Sequence, residues 1–343
     1  MTTDERELLE PVDLCTPDGE RFNPDALGWS RRPLHRANLA GHHGRNKRWD
    51  YWAILAGDLI VSSVYADIDH FGLGDVWWAH TPSGQTGGRN ALVPADGVSL
   101  PERCGTAPLV MSDPALELSI TDDDIGTHFV ASWREEDERE GSLDVVIAMP
   151  PGHESLNVVI PWDDVTFNFT SKHQARPAIG SMVVGDETWE IGGEAGDAWG
   201  VLDVGRGRWP HEIHWNWGGG AGRSGKHVIG LQFGAKWTEG SGFTENGFIL
   251  DGVLTKVDRE LEWSYDWDHP MAPWRIIDPD GQIEVTLLPR YDKHSRSGDD
   301  GDEYASETHQ VFGTFSGAVR TDDGQTHTFD GLQGFAEEAR QRW

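Results

Sequence analysis

The segment "HVIGLQFGAKW" (His227–Trp237) restricts the fold more than any other stretch. Ile229, Leu231, Phe233, Ala235 and Trp237 recur at every second position, with Gly230, Gln232, Gly234 and Lys236 between them. A period of two belongs to a half-buried strand, because helix faces repeat every 3.6 residues. "DLIVSSVYADI" repeats the pattern, with Leu59, Val61, Ser63 and Tyr65 opposite Ile60, Ser62, Val64 and Ala66. Further strands are expected around Phe129–Trp133, Leu143–Met149, Gln282–Leu288 and Gln310–Val319. Turn signals at Asp251–Gly252, Pro279–Gly281 and Asp322–Gly324 punctuate them. Helical periodicity is scarce, and only the tail "LQGFAEEARQRW" predicts a short helix.

Short strands with frequent turns favour sandwiches and barrels. A chain of 343 residues is long for one such core. The expected fold is therefore all-β: two tandem antiparallel barrels or sandwiches with little helix. "DVGRGRWP" breaks the pattern near Trp199–Arg208. This places an N-terminal tail at 1–20, a first β-domain at 21–205 and a second at 206–343. Arg134–Gly141 and Asp292–Glu303 are rich in charge and read as solvated loops. Calcium on the second is the alternative, but the spacing of an EF-hand is absent.

Against 28 basic residues stand 58 acidic ones, a net charge of −30. Nucleic acid, which needs a basic footprint, is an unsuitable partner, and so is an anionic membrane surface. No apolar run is long enough for a membrane span. The polar N-terminus "MTTDERELLE" lacks the features of a secretory signal, so the expected location is cytoplasmic. Cys15 and Cys104, far apart in sequence, are expected as free thiols. The acidic surface fits a salt-adapted host as well as an ordinary acidic protein.

"WPHEIHWNWGGGAG" (Trp209–Gly222) is the densest functional signal. On a strand, Trp209, His211, Ile213, Trp215 and Trp217 share a face, and Pro210, Glu212, His214 and Asn216 take the other. Histidines three apart then point opposite ways, whereas the zinc-protease pair lies four apart on a helix. No metal and no cofactor are expected. The aromatic face is either dry core or the wall of a ligand cavity. Seventeen tryptophans exceed what a core usually needs. The run Gly218–Gly220 allows close backbone approach.

Three other stretches supply candidates. In "GSGFTENGFILDG", Glu245 shares a face with Phe243, Gly247 and Ile249. A carboxylate on an apolar face has its pKa raised and is a candidate general acid. The alternatives are an arginine pair or a solvated strand end. In "NKRWDYWAIL", Trp49 and Tyr51 alternate with Arg48, Asp50 and Trp52, and Arg48 is placed to pair with Asp50. Lys172, one of six lysines, sits beside aromatic residues, although an isolated lysine is usually solvated. An antiparallel meander would bring Trp215, Trp217 and Glu245 to one cavity, with Trp237 contributing from the intervening strand. Asn216, Trp49, Tyr51, Trp52 and Lys172 complete the candidate binding set.

"KRWDYWA", "FTSKH", "DVGRGRWP", "HWNWGGGAG", "GSGFTENGFILDG", "PWRI" and "QVFGTFSGAV" occur in this order. Together they resemble a bacterial and fungal family of unknown function, numbered 2804, from about Phe22 to the C-terminus. More distantly, "WNWGGG" is similar to the His-x-Trp-Gly motif of proteins with two lipocalin-like barrels. These are the carotenoid 1,2-hydratases, attH-like and kievitone hydratase-like proteins and fungal Diels–Alderases. Trp217 and Gly218 fit that motif, while Trp215 stands where the hydratases have histidine. In those hydratases an acidic residue one or two strands later protonates an alkene, and Glu245 matches it by position. The resemblance implies a two-barrel lipocalin-like fold with an apolar pocket between or within the barrels.

Three functions follow as expectations. The first is a cofactor-independent enzyme acting on a hydrophobic, isoprenoid- or polyketide-like molecule by acid-promoted hydration, isomerisation or cyclisation. Glu245 would be its acid, and Trp215 and Trp217 would stabilise developing positive charge. The second is a non-catalytic lipid or pigment binder. The third is a carbohydrate-active or carbohydrate-binding β-protein. The oligomeric state is not legible.

Overall fold

The computed structural model describes residues 5–298, 302 and 304–342. Nearly everything regular in it is strand, and short 3-10 turns at Pro24–Ala26, Ala95–Gly97 and Gly193–Ala195 are the helical elements described. Two large antiparallel sheets carry the chain, of 13 and 9 strands. One closes almost into a barrel and the other forms a half-barrel.

The first sheet runs outward in both directions from a central pairing of Asn46–Ala56 with Trp199–Arg208. On one side lie Leu59–Asp67, Phe71–His80 and Gln85–Pro94; on the other Phe167–Val184, Glu140–Ala148, Gly126–Arg134, Leu116–Asp122 and Leu109–Asp113. The strand Phe167–Val184 is 18 residues long. It turns the corner at a bulge between His173 and Arg176, where Ala175 adopts a left-handed φ of 58°. Trp199–Arg208, expected as a break between domains, is a strand buried along its whole length. The chain leaves the first sheet after Arg208 and enters the second at Glu212.

In the second sheet the order is Val253–Val257, Asn246–Leu250, His227–Ala235, Glu212–Ser224, Thr326–Arg342, Ala305–Arg320, Ile283–Ser297, Trp274–Ile277 and Glu262–Ser264. The C-terminal tail, expected as a helix, is therefore a strand held on both sides, by Glu212–Ser224 and by Ala305–Arg320. Asp292–Glu303 is not all loop either. Asp292–Ser297 continues a strand, and residues 299–301 and 303, most of them acidic, lie outside the described residues. In Arg134–Gly141 the turn is confined to 135–139.

Each sheet folds around its own core. Trp52, Trp78, Trp133, Phe129 and Val145 fill the first, and Phe233, Phe248, Trp274, Phe315 and Leu287 the second. A third cluster joins the outer faces, with Ala53, Leu55, Ile60 and Val201 meeting Trp217, Phe312 and Phe335. The segment expected as a tail through residue 20 is packed as well. Leu8, Leu14 and Cys15 are buried, and Glu5 pairs with Lys256 of the second sheet at 2.9 Å. Cys15 and Cys104 are free.

Candidate active site between the barrels

Alternation along each strand decides what faces the gap between the barrels. On Asn46–Ala56 the odd positions Trp49 and Tyr51 look outward, while Trp52 is fully buried in the first core with Arg176 stacked 5.3 Å from its ring. On Glu212–Ser224, Trp215 and Trp217 look outward. Asn216 lies on the opposite face and binds the Tyr265 hydroxyl and the Glu337 carbonyl, each at 3.0 Å. Trp52 and Asn216 thus leave the expected binding set, because even positions on these strands point into the barrels.

The outward faces enclose a cavity of about 1000 Å³. Trp49, Tyr51, Lys172, Trp215, Trp217, Trp237 and Glu245 all line it. Five tryptophans line it as one wall, Trp49, Trp209, Trp215, Trp217 and Trp237, and Trp162 packs behind them. Trp209 sits at its centre, stacked parallel to Trp237 at 5.8 Å and edge-on to Trp49, Trp162 and Trp215 at 5.3–5.6 Å. Most indole N–H groups of this wall donate to a named oxygen: Trp49 to Asp203 and Trp237 to Glu245. Trp215 donates to Glu337 and Trp217 to Gln232. The rings are thereby fixed in orientation while their faces stay available.

Lys172 is the electrostatic centre. Its ammonium lies 2.8 Å from Asp203 and 3.4 Å from Glu245, and 4.3 Å above the Trp217 ring. It is 5% exposed, so the solvated alternative is ruled out. Burial works against its charge, yet the two carboxylates raise its pKa above the ordinary lysine value. Asp203 is held further by Thr170 at 3.0 Å. Asp50 does not pair with Arg48. It is buried in the first barrel against Arg206 at 2.7 Å, and Arg48 pairs with Asp67.

Glu245 precedes the strand Asn246–Leu250 and is 1% exposed. It accepts a hydrogen bond from the Trp237 indole. Burial lifts its pKa to about 7, against the pull of Lys172. The negative charge of Asp203 pushes the same way as burial. Gly234 makes the room: a Cβ there would stand 2.0 Å from Glu245 Oε1. Glu337, absent from the sequence reading, lines the same cavity. Burial pushes it to about 7 as well, opposed by the Trp215 N–H at 2.6 Å and by Lys172 and Lys293.

The glycine run also has a physical role. A Cβ on Gly219 would lie 2.5 Å from the Gln174 amide of the first sheet. Gln174 reaches across to donate to Gln232 at 3.0 Å, and Gln232 accepts from Trp217. His211 lines the cavity while His214 lies beside Glu212 at 3.9 Å.

Asp203 and Glu337 line the cavity but are absent from the sequence reading. Asp203 sits in the stretch that reads as a domain break, where its alternation with Val201 and Gly205 is the available signal. Glu337 sits in the tail whose residue types predict a helix.

The chain belongs to the family described as a domain of unknown function, DUF2804, which matches residues 5–343. No curated protein matches it in sequence. Among solved structures it is similar to an AttH-type protein from Nitrosomonas europaea, at 11% identity over 87% of this chain and 93% of that one, with a TM-score of 0.51. It is also similar to kievitone hydratase from Nectria haematococca, at 11% identity over 89% and 93% of the two chains, with a TM-score of 0.46. CghA bound to Sch210972 matches at 12% identity over 87% and 89%, with a TM-score of 0.46. At such identities the AttH likeness shows a common two-barrel, lipocalin-like fold. Among the described residues, no helix is long and apolar enough to cross a membrane.

Proposed function

We propose that this protein binds a largely apolar small molecule, isoprenoid- or polyketide-like, between its barrels and protonates it from Glu245. The observation that carries this reading is a buried carboxyl, pushed to about 7, at the wall of an aromatic cavity. Such a group holds a proton near neutrality and can release it to a reacting atom.

In the proposed step the Glu245 proton passes to an alkene carbon or a carbonyl oxygen of the ligand. The carboxylate left behind is held by Lys172 and by the Trp237 N–H. The Lys172–Asp203 pair carries no net charge, so it does not oppose a developing cation. The faces of Trp215 and Trp209 can stabilise that cation. Capture by water gives hydration, capture by an internal double bond gives cyclisation, and loss of a neighbouring proton gives isomerisation. Glu337 is the group proposed to take the returning proton. The hydratase named among the similar structures is compatible with chemistry of this class. No cofactor is needed for it.

Quenching of tryptophan fluorescence by β-ionone, farnesol and retinol tests the binding half. The expected result is saturable quenching by at least one of them, weakened on Trp215→Ala. Quenching by none of the three, or quenching that ignores Trp215→Ala, would contradict it.

A further inference from the structure

The strands that wall the cavity carry a second cluster of chemistry on their other face. Lys293, Ser295, Thr308 and Gln310 point into the cavity. By alternation Asp292, His294, Glu307 and His309 point away from it. His294 and His309 are direct cross-strand partners. Their rings stack, 4.2 Å apart and 3° from parallel. His294 Nε2 lies 3.0 Å from Glu307 Oε1. The donor atoms of His294, Glu307 and His309 all fall within 4.8 Å of one another.

We infer that His294, Glu307 and His309 form a binding site for a divalent transition metal ion of the zinc type. Two imidazoles and one carboxylate are a ligand set zinc accepts, with a fourth position open. The support around the set points the same way. His309 Nδ1 is 2.8 Å from Asp292, which fixes the tautomer and leaves Nε2 for an ion. A ligand histidine oriented through its other nitrogen by a carboxylate is the recurring second layer of metal sites. The Trp267 ring packs edge-on against His309 at 4.6 Å and holds its plane. The other Asp292 oxygen is buried without a hydrogen-bond partner among the described residues. Donors around a tetrahedral ion stand about 3.4 Å apart, from bond lengths near 2.0–2.2 Å. His294 is exposed and Glu307 half-buried, so both can close that difference. Arg296, 3.9 Å from Glu307 Oε2, leaves Oε1 for the ion. The histidines weighed in the sequence, His211 and His214, take no part.

Isothermal titration with zinc chloride of the chelator-stripped full chain tests the site, with cobalt(II) absorption as a second readout. The expected result is one ion per chain at micromolar affinity or tighter. His309→Ala and His294→Ala should each weaken it well beyond tenfold, and Asp292→Asn by about 10- to 100-fold. Because His294 is exposed, its replacement reports on binding without a demand on folding, checked by circular dichroism. Binding only at millimolar zinc would overturn the site. So would binding unchanged by His294→Ala, or binding lost with His211→Ala instead.

Discussion

Glu245 holds a proton at pH values where the unfolded chain has released it. Its ordinary pKa of 4.5 rises to about 7 in the fold. The folded state therefore binds the extra proton between those values. Stability from this group is fully present below about 4.5, falls as the pH rises through 7, and is flat above. Glu245→Gln has no such proton. The melting temperature of this variant relative to wild type should rise from about pH 4.5 to about 7 and level off above; parallel curves would count against the buried acid. Gly234→Ala tests the same carboxyl sterically. Its Cβ would meet Glu245 Oε1 at 2.0 Å, and Trp237 and Lys172 leave that side chain little room to move. A loss of about 1–3 kcal/mol in denaturant melts is expected, and no change would show that Glu245 is free to swing away. Glu245 was legible in the sequence because it interrupts an apolar alternation. Lys172 stood in the candidate binding set for its aromatic neighbours, but its pairing with Glu245 was not legible, since its burial comes from strands far away in sequence.

At the scale of elements, tertiary pairing decided what local preference could not. The tail "GFAEEARQR" is made of good helix formers, yet partners on both edges draw it into the sheet. Once it is a strand, alternation sends Glu337 to the cavity and Glu338 to Lys236 and Tyr265 on the far side. The helix reading hid both roles. Trp199–Arg208 misled for a related reason, since its glycines and arginines look like a linker. In the fold Gly205 yields to the Trp49 ring, and Arg206 is buried against Asp50. That pair ties the two central strands. Arg206→Met alone should cost about 3–5 kcal/mol by stranding the Asp50 charge, and Asp50→Leu with Arg206→Met should recover most of it. Chemical denaturation of the three proteins checks this, and an additive double variant would contradict it. The alternation itself, by contrast, was readable throughout: Trp49 and Tyr51 reach the cavity, while Trp52, one pleat out of phase, does not.

For the whole molecule, the two cores came from period and turn signals. The cavity between them did not, because it depends on which outer faces meet. The tryptophan excess was the trace it left in composition. A ligand that fills the cavity binds only the folded chain, so it must stabilise the fold by about 2.7 kcal/mol at a hundredfold excess over Kd and raise the melting temperature with concentration. The most direct test of the proposed chemistry is native mass spectrometry of Glu245→Gln purified beside wild type. The account predicts that the variant retains one apolar small molecule per chain. Wild-type protein should convert that molecule on mixing, with the mass of one water gained for hydration, or with an altered chromatographic position at equal mass for isomerisation or cyclisation. A molecule recovered unchanged after mixing, or no bound molecule in either protein together with no response to added apolar ligands, would contradict the proposal.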